Sequence, residues 1–455
     1  MRTITTEELD ALIEQKRYAA IKQALSQEYA VDLAQLLEEQ PYERIVPLFR
    51  LLPKGLAADT FLEMGTDLQE RLILGFSDSE MRALVGEMYV DDTVDLIEEM
   101  PAGVVKKIIA SADPAMRNDI NEILKYPKDS AGSVMTTEYI ALRAAMTLSE
   151  AFDKIRRVGT DSETIYTCYV TVPGRKLVGV VTVKDLLLAK QDATVGELME
   201  TNLIVAHTDE NKEEVSNRIR EYGLMALPVV DKDGLLVGIV TVDDAFDIIS
   251  EESEEDFSKM AATAPTETTY TKTSVFTLFK ARFPWLLLLT LSATFTGAII
   301  SSFEEKLAAC AVLIGFIPML MNSGGNSGAQ ASVAVIRGLS LGDLVPKDAL
   351  RVLLKEIAVG GICGVLLALC NALKMLLVDR LLFANPDVSV WVILVVSLTL
   401  ALTVLMAKAV GCLLPFLAKL VRLDPAVMAA PVISTLVDAM SLLIYFGFAV
   451  SFLHL

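Results

Sequence analysis

Apolar and polar positions divide the chain into a mixed first part and a predominantly apolar second part. Over residues 1–130 the apolar residues recur every three or four positions, which is the pattern of amphipathic helices. Two segments, DLAQLLEEQPYERIVPLF (32–49) and VDLIEEMPAGVVKKII (94–109), share an apolar pair, Glu-Glu, one further residue and a proline. Repeated helix–break–helix units of this kind predict an all-α N-terminal superhelical domain over residues 1–130.

A second and clearer repeat occupies residues 131–256. GSVMTTEYIAL (132–142) returns as GELMETNLIVA (196–206), and LVGVVTVKDLL (177–187) returns as LVGIVTVDDAF (236–246). Each copy has a β-branched run ahead of an amphipathic segment, which predicts a strand followed by a helix. The copies, 131–195 and 196–256, resemble a tandem CBS pair, an α/β cytosolic regulatory module. That resemblance implies ATP or another adenine nucleotide as a ligand of its clefts.

The segment after the repeat changes sharply in composition. DDAFDIISEESEEDFSKM (243–260) is strongly acidic, and a Ser/Thr/Ala-rich stretch follows it as far as Ser274. We interpret residues 257–281 as a connecting helix between the cytosol and the membrane. The stretch AATAPTETTYT is a poor sequence for a continuous helix, because threonine and proline disfavour the helical interior.

Five apolar runs follow, at about 284–303, 307–336, 352–378, 390–417 and 426–453. Each is long enough to cross a bilayer, for which ~20 residues suffice, so we predict a five-helix transmembrane domain over residues 282–455. The segments between the runs that would face the cytosol carry most of the basic residues, whereas the opposite segments carry Lys306 and Arg380, with Lys374 nearby. The positive-inside rule therefore predicts cytosolic N-terminal domains and a C-terminus outside the cell membrane.

Net charge separates the two parts of this multidomain chain. Residues 283–455 carry ten basic and nine acidic side chains, whereas residues 1–282 carry 30 basic and 50 acidic ones. A soluble part with this excess repels nucleic acid and attracts cations, which excludes nucleic-acid binding. The N-terminal residues contain no apolar core of a signal peptide, which agrees with a cytosolic location.

One acidic residue interrupts the last apolar run. Asp438 lies almost at its midpoint, where an aspartate costs ~2.5–3.5 kcal/mol on insertion scales, so such residues usually serve a pathway or a partner. The alternative is a structural carboxylate neutralised by Lys408 of the fourth run. We also expect Pro318 and Pro431 to break helices within their spans and to leave backbone carbonyls free for a cation.

The stretch PMLMNSGGNSGAQAS (318–332) places amides, serines and glycines inside the second apolar run. Asn322, Asn326 and Gln330 offer oxygen atoms, which suit hard cations and above all a partly hydrated Mg²⁺. Gly324 and Gly328 are one turn apart, a spacing that lets another helix approach closely. No cluster of histidine and cysteine indicates a softer metal.

Asp424 has two possible roles. As the first residue of an Asp-Pro pair at the start of the fifth run, it suits a helix N-cap with proline at the first helical position. The other role is a cation contact at the cytosolic mouth of a pathway.

Acidic residues cluster at two places in the soluble part. They crowd one end of the helical domain and the end of the CBS pair, and they include Asp91, Asp95, Asp243, Asp247, Glu251, Glu252, Glu255 and Asp256. Such runs are often solvated faces. Near a cation pathway they suggest instead a sensor, in which bound Mg²⁺ removes the repulsion between the clusters and holds the domains together.

Three motifs together resemble the signatures of the MgtE family of magnesium channels. They are RFPWL (282–286), GGNSGAQ (324–330) and DPAVMAAPVISTLVD (424–438), and the order of the predicted domains also matches. The resemblance implies a homodimer in the lipid bilayer, with a pore on its two-fold axis lined by the second and fifth spans. Asp438 matches the family's intramembrane Mg²⁺-binding aspartate and Asn326 its pore-lining asparagine, while Gly325 and Gly328 let the pore helices pack closely.

The same resemblance implies regulation. The connecting helix matches the family's plug helix, and cytosolic Mg²⁺ bound between the acidic domains closes the pore. Other functions stay open at this point: a transporter of another divalent cation such as Co²⁺ or Mn²⁺, a CBS-regulated transporter of an anion or organic substrate, and a membrane-anchored Mg²⁺ sensor without transport. An enzyme is not expected, because no phosphate-binding loop, nucleophile–base set or zinc spacing occurs in the sequence.

Overall fold

The computed structural model of the chain describes residues 4–266, 270, 273–428 and 430–454. They form two compact units, Met1–Ile249 and Ser250–Leu455.

The first unit begins with a series of short helices. They are α1 (Thr6–Glu14), α2 (Tyr18–Leu25), α3 (Ala30–Glu38), α4 (Tyr42–Phe49), α5 (Lys54–Leu62), α6 (Thr66–Gly75), α7 (Asp78–Val85), α8 (Val90–Glu99), α9 (Ala102–Ser111) and α10 (Pro114–Ile123). Capping boxes begin α1 at Thr5 and α7 at Ser77, and the repeated prolines Pro41 and Pro101 are the N-caps of α4 and α9. The predicted helical N-terminal domain is therefore confirmed.

Packing in this helical region follows an alternating order. α3 packs on α5, α5 on α7, α7 on α9, and α8 on α10, so that helices contact their next-but-one neighbours. Their apolar faces meet in one continuous core that includes Leu37, Phe61 and Met81. Helices this short are marginal alone, and they depend on this shared core for stability.

The two predicted repeats form the rest of the first unit. The first copy contains β1 (Ala141–Leu142), α11 (Leu148–Val158), β2 (Thr167–Thr171), β3 (Leu177–Thr182) and α12 (Val183–Leu188); α13 (Val195–Leu198), β4 (Ala206–His207), α14 (Lys212–Tyr222), β5 (Ala226–Val230), β6 (Leu236–Thr241) and α15 (Val242–Met260) follow. In each copy the first strand is parallel to the second, and the second is antiparallel to the third. The predicted α/β pair is confirmed.

Each copy extends an arm across the sheet of the other. Thr136, in the arm GSVMTT, donates from its backbone nitrogen to the carbonyl of Ile239 in β6 (2.8 Å). In the equivalent exchange, Glu200 donates to Val180 in β3 (2.8 Å). The glycine inside each third strand makes room for the methionine of the crossing arm, since a Cβ at Gly238 would lie 2.6 Å from the sulfur of Met135. This exchange explains why both sequence motifs repeat together.

The connecting segment predicted over residues 257–281 is not one continuous helix, in agreement with the poor helix-forming stretch AATAPTETTYT. Helix α15 continues the second copy to Met260, and the next helix begins only at Val275. Ala262 has φ = 54°, a conformation incompatible with a continuing helix, and Pro265 lacks the N–H that a helix interior requires. Residues 267–269 and 271–272, which the predicted helix also included, lie outside the described residues.

The second unit is built from long helices. They are α16 (Val275–Ser302), α17 (Glu304–Ala309), α18 (Ile317–Ser340), α19 (Ala349–Lys374), α20 (Val390–Leu420) and α21 (Ala430–Leu453). Among the described residues, four segments are long and apolar enough to cross a membrane: Val275–Ser302, Pro346–Leu382, Val390–Leu420 and Pro425–Leu453. Helix α18 is 24 residues long but is not among them, because its amides, serines and glycines lower its hydropathy.

The two prolines expected to break spans lie elsewhere in their helices. Pro318 is within the first turn of α18, and Pro431 is the second residue of α21. The first N–H groups of a helix have no intrahelical partner, so a proline there leaves no carbonyl unsatisfied. The predicted free carbonyls in mid-span were therefore wrong.

Helix α20 packs against α18, α19 and α21 and forms the centre of the second unit. Its Gly411 lies directly on the backbone of α18, and a Cβ at this position would overlap the carbonyl oxygen of Gly328. A Cβ at Gly328 itself would lie 2.7 Å from the Cγ2 of Ile433 in α21 and 3.2 Å from the carbonyl oxygen of Ala407 in α20. Small residues thus bring three backbones together, as in other membrane helix pairs.

We expect Gly411→Ala to lower the thermal stability of the purified protein in detergent, because the new methyl group must separate α18 from α20. Overpacking of this kind costs about 1–3 kcal/mol. Gly297→Ala in α16 is the matched control, since a Cβ there meets nothing within 4 Å, and alanine is the better helix former. Equal melting temperatures for the two variants would show that the close contact is not present.

Candidate functional site

Helix α18 has two faces of different character. Asn322, Asn326 and Gln330 follow one another at intervals of four residues and are exposed, whereas Gly324 and Ser332 on the other side are buried. The Nδ2 of Asn326 donates to the Oδ1 of Asn322 (3.0 Å). The spacing of four residues places these amides in one row along the helix.

Asp438 lies on α21, beside this helix. Ser434, one turn earlier, lies against Gly325 of α18, where a Cβ would be 3.2 Å from the serine hydroxyl oxygen. The Asp438 side chain is half-buried. No hydrogen bond or ion pair reaches its carboxylate from any residue that the structure describes. Lys408 does not neutralise it, because the lysine ammonium contacts Glu356 and Gln330 instead.

Asp424 is engaged through both carboxylate oxygens. Its Oδ1 accepts from the backbone nitrogen of Ala426 (2.8 Å), which is the geometry of a helix cap. Its Oδ2 lies 2.5 Å from the Nζ of Lys259 in the last turn of α15. Lys259 also contacts Glu255 at 2.6 Å. Although burial alone would lower the pKa of Lys259, its hydrogen bonds to Asp424 and Glu255 raise that pKa overall.

A second contact joins the same part of α15 to α18. The hydroxyl of Ser340 donates to Asp256 Oδ2 (2.8 Å), and Met260 packs beside Ile336 and Ala426. Burial raises the pKa of Asp256, an effect that the hydrogen bond from Ser340 opposes. We call this set of contacts, made by Asp256, Lys259 and Met260, the α15 latch.

Three carboxylates in the first unit converge on one point. Asp91, Glu138 and Glu163 each offer an oxygen atom, and these atoms lie within 4.8 Å of one another. Asp91 is in the first turn of α8 and is 6% exposed. Glu138 precedes β1 and accepts from the backbone nitrogen of Val90 (3.1 Å), while the nitrogen of Glu163 donates to the Glu138 carbonyl (2.9 Å). We call these residues the carboxylate triad.

Further acidic residues surround the triad. Burial, followed by the charges of Asp92 and Asp244, raises the pKa of Glu163 to about 8. Burial is also the main cause that raises the pKa of Asp91 well above its usual range and that of Asp92 to about 6. No lysine or arginine forms an ion pair with the triad among the described residues. Clustered oxygen donors without a basic partner suit a hard divalent cation, and a bound cation would offset the repulsion among them.

The structure divides the predicted sensor residues between the two units. Asp91 belongs to the triad, and Asp95 is exposed further along α8. Asp243 and Asp247 are exposed on the first half of α15, where Asp243 adds to the repulsion felt by Glu163. The last turns of α15 carry Glu251, Glu252, Glu255 and Asp256, which belong to the second unit.

Glu138 and Glu163 were missed by the sequence analysis, since each stands alone in a loop. One signal was available for Glu138. In the alignment of GSVMTTEYIAL with GELMETNLIVA, this glutamate corresponds to Asn202, so the two arms differ in charge at a position where their backbones are equivalent.

Three family models match the chain. The model described as a divalent cation transporter, MgtE, matches residues 317–448. The MgtE intracellular N domain matches residues 28–129, and the CBS domain matches residues 131–192 and 195–251.

Two bacterial magnesium transporters match this chain over nearly its whole length. The magnesium transporter MgtE of Thermus thermophilus is 34% identical over 434 residues, which cover 94% of each chain. The magnesium transporter MgtE of Bacillus subtilis is 31% identical and covers 93% of this chain and 92% of its own.

Two solved structures resemble the soluble part. The cytosolic domain of the Mg²⁺ channel MgtE in complex with ATP is 31% identical, covers 54% of this chain and 100% of its own, and has a TM-score of 0.51. The soluble part of a magnesium transporter is 26% identical, covers 55% of this chain and 98% of its own, and has a TM-score of 0.52.

The raised pKa of Glu163 predicts that cation binding releases protons. At pH 7 a carboxyl with a pKa of about 8 is protonated in about nine of ten molecules, and a cation that binds to it must displace the proton. We expect Mg²⁺ binding to release protons at pH 7, from Glu163 and also from Asp91, whose pKa is raised as well, and to strengthen as the pH rises from about 6 to 8. Calorimetric titrations in buffers of different ionisation enthalpy measure this release.

Glu163→Gln should reduce the proton release, because it removes one of the groups with a raised pKa. Asp161→Asn, an exposed change in the same loop, is the matched control and should leave the release unchanged. A binding heat that does not depend on the buffer in the original protein would contradict the assignment of Glu163 to the site.

Proposed function

This chain belongs to the MgtE family of divalent cation transporters, and from that premise we propose that it conducts Mg²⁺ across the cell membrane into the cytosol. The observation that carries the proposal is Asp438, a half-buried carboxylate in an apolar helix to which no basic side chain is paired among the described residues. The cost of an aspartate within a bilayer is offset when a cation passes beside it. The names of the relatives, magnesium transporters, support Mg²⁺ as that cation.

We propose that α18 is the fifth membrane span and that it lines the pathway with α21. The amide row on α18 supports this assignment, because polar side chains do not face lipid and require protein or water instead. Asn326 and Asn322 offer oxygen atoms to the water shell of Mg²⁺, which the ion sheds reluctantly. Gly325 and Gly328 let α21 approach, so that Asp438 and the amides share one pathway.

The amide row is exposed in a single chain, and this exposure favours a second copy. In a homodimer, the two rows and the two Asp438 carboxylates face each other across a water-filled pore on the two-fold axis. Five spans place the C-terminus outside the cell and the acidic N-terminal domains in the cytosol. The N-terminal helices, which pack on their next-but-one neighbours, form a superhelix in this arrangement.

We further propose that cytosolic Mg²⁺ closes the pore through the carboxylate triad. Without the ion, the carboxylates of the triad and of Asp92, Asp243 and Asp244 cannot all be ionised at this short range, and their ionisation favours separation of their elements. Bound Mg²⁺ shifts this balance by its higher affinity for the assembled cluster. The transporter is then open when internal Mg²⁺ is scarce and closed when it is abundant.

The CBS pair provides a site for ATP or another adenine nucleotide. The support is the similar cytosolic domain that was solved in complex with ATP. Nucleotide binding between the two copies would act on the sheets that the crossing arms connect.

We expect Asp438→Asn to reduce Mg²⁺ uptake into proteoliposomes at least about tenfold, which corresponds to ~1.4 kcal/mol, because the amide keeps the shape of the side chain but not its charge. Asp343→Asn, an exposed change in the loop after α18, is the matched control. Both variants should insert and elute like the original protein. Uptake by Asp438→Asn equal to that of the control would refute the proposed pathway, and the same assay with Co²⁺ and Mn²⁺ measures selectivity.

The sensor is tested by limited proteolysis of the full-length protein. We expect cleavage after Met260, in the non-helical residues 261–266, to slow as Mg²⁺ rises through the millimolar range of weak carboxylate sites. The double variant Glu138→Gln, Glu163→Gln should lose this dependence on Mg²⁺, because it lacks two ligands. Equal cleavage of the original protein with and without Mg²⁺ would contradict regulation through the triad.

A further inference from the structure

A buried ion pair lies beside the amide row of α18. The Nζ of Lys408 in α20 is 3.7 Å from the Oε2 of Glu356 in α19, and the side chains are only 8% and 18% exposed. The stem of Lys408 packs on Gly360, where a Cβ would lie 3.3 Å from the lysine Cβ. Both residues belong to apolar helices, where a single unpaired charge is costly.

The same ammonium reaches the amide row. Lys408 Nζ donates to the Oε1 of Gln330 at 3.4 Å, so the oxygen of this glutamine points to the lysine and not to the pathway. The Oε2 of Glu356 accepts no hydrogen bond from the described residues. The positive charge closest to Glu356 is that of Lys408, so the local net charge depends on these two residues.

We propose that Glu356 is a positioning residue for cation conduction, which cancels the charge of Lys408 and holds that lysine on Gln330. This inference rests on the proposed Mg²⁺ pathway along α18. Lys408 brings a positive charge to within one side chain of the row of amides along which Mg²⁺ passes. An ammonium without its counter-charge repels a divalent ion strongly at low dielectric constant. Glu356 removes that repulsion without touching the ion itself.

The pair therefore has two separable effects. It fixes the Gln330 amide through a hydrogen bond, and it keeps the local charge close to zero. Removing one partner of a buried pair leaves an uncompensated charge, whereas replacing both with neutral residues is often tolerated. A merely structural pair and a charge-balancing pair thus differ in what the single and double variants do to transport.

The test measures Mg²⁺ uptake into proteoliposomes over a range of Mg²⁺ concentrations. Glu356→Gln should lower the maximal rate about tenfold or more and raise the half-saturating Mg²⁺ concentration, because the lysine charge is then unbalanced. The double variant Glu356→Gln, Lys408→Met should recover to within about threefold of the original rate, because both charges are gone. Lys408→Arg, which keeps the charge, should transport like the original protein.

Lys419→Met is the matched control, since Lys419 is an exposed lysine at the end of the same helix, and it should change neither quantity. Thermal melting in detergent accompanies each assay. If Glu356→Gln does not fold, the double variant still decides the question. A double variant that melts like the original protein but does not recover uptake overturns the inference, as does normal uptake by a folded Glu356→Gln. Absence of Mg²⁺ uptake by the original protein would instead overturn the proposed function.

Discussion

Carboxylates that are buried or half-buried, and that have no basic partner in the described part of the chain, impose the main constraint on both units. In the second unit this carboxylate is Asp438, and in the first unit it is the triad of Asp91, Glu138 and Glu163. Neither arrangement is favourable in itself: a carboxylate within an apolar helix is costly, and in the triad mutual repulsion adds to desolvation. The surrounding fold supplies the free energy that holds them: helix contacts through small residues around α18, and a continuous apolar core beneath α8. In the proposed function, a cation bound at either place would release part of that free energy and so connect occupancy to conformation.

Other carboxylates of the second unit are paired with a lysine. Lys259 pairs with Asp424 and Glu255, and Lys408 pairs with Glu356. In both cases a lysine from one helix reaches a carboxylate on another element, so the contact is complete within the protein. Acidic groups that pair with lysine thus differ from Asp438 and the triad, which have no basic partner among the described residues.

Local patterns in the sequence predicted much of this structure. The CBS pair followed from a repeat of two motifs, and the helical N-terminal domain followed from periodicity and the prolines at Pro41 and Pro101, because these signals lie within a few turns of chain. The triad could not be predicted in the same way, since its members come from α8 and from two separate loops that meet only in the folded unit. Pro318 and Pro431 were predicted to lie in mid-span because the apolar runs begin several residues before the helices do. Composition alone did not show where the first helical turns begin.

The first crossing arm fixes Glu138 of the triad relative to β6. Thr136 of the first arm pairs with Ile239 in β6, two residues before Glu138 and a few residues before Asp243. The arm and the strand are therefore held in register, and the acidic groups that follow each of them are held at a defined separation. The ladder contact between Thr136 and Ile239 therefore contributes to the separation of Glu138 from Asp243.

The α15 latch has a consequence for the protein when no metal is present. Chelators such as EDTA strip Mg²⁺ from carboxylates, but they cannot extract a lysine that is covalently part of the chain. The last turn of α15 would therefore stay bound to Asp424 in a fully demetallated preparation. This segment could detach no faster than that ion pair dissociates. In the metal-free protein the end of α15 is then still bound through Lys259, and only segments outside this contact are free to move.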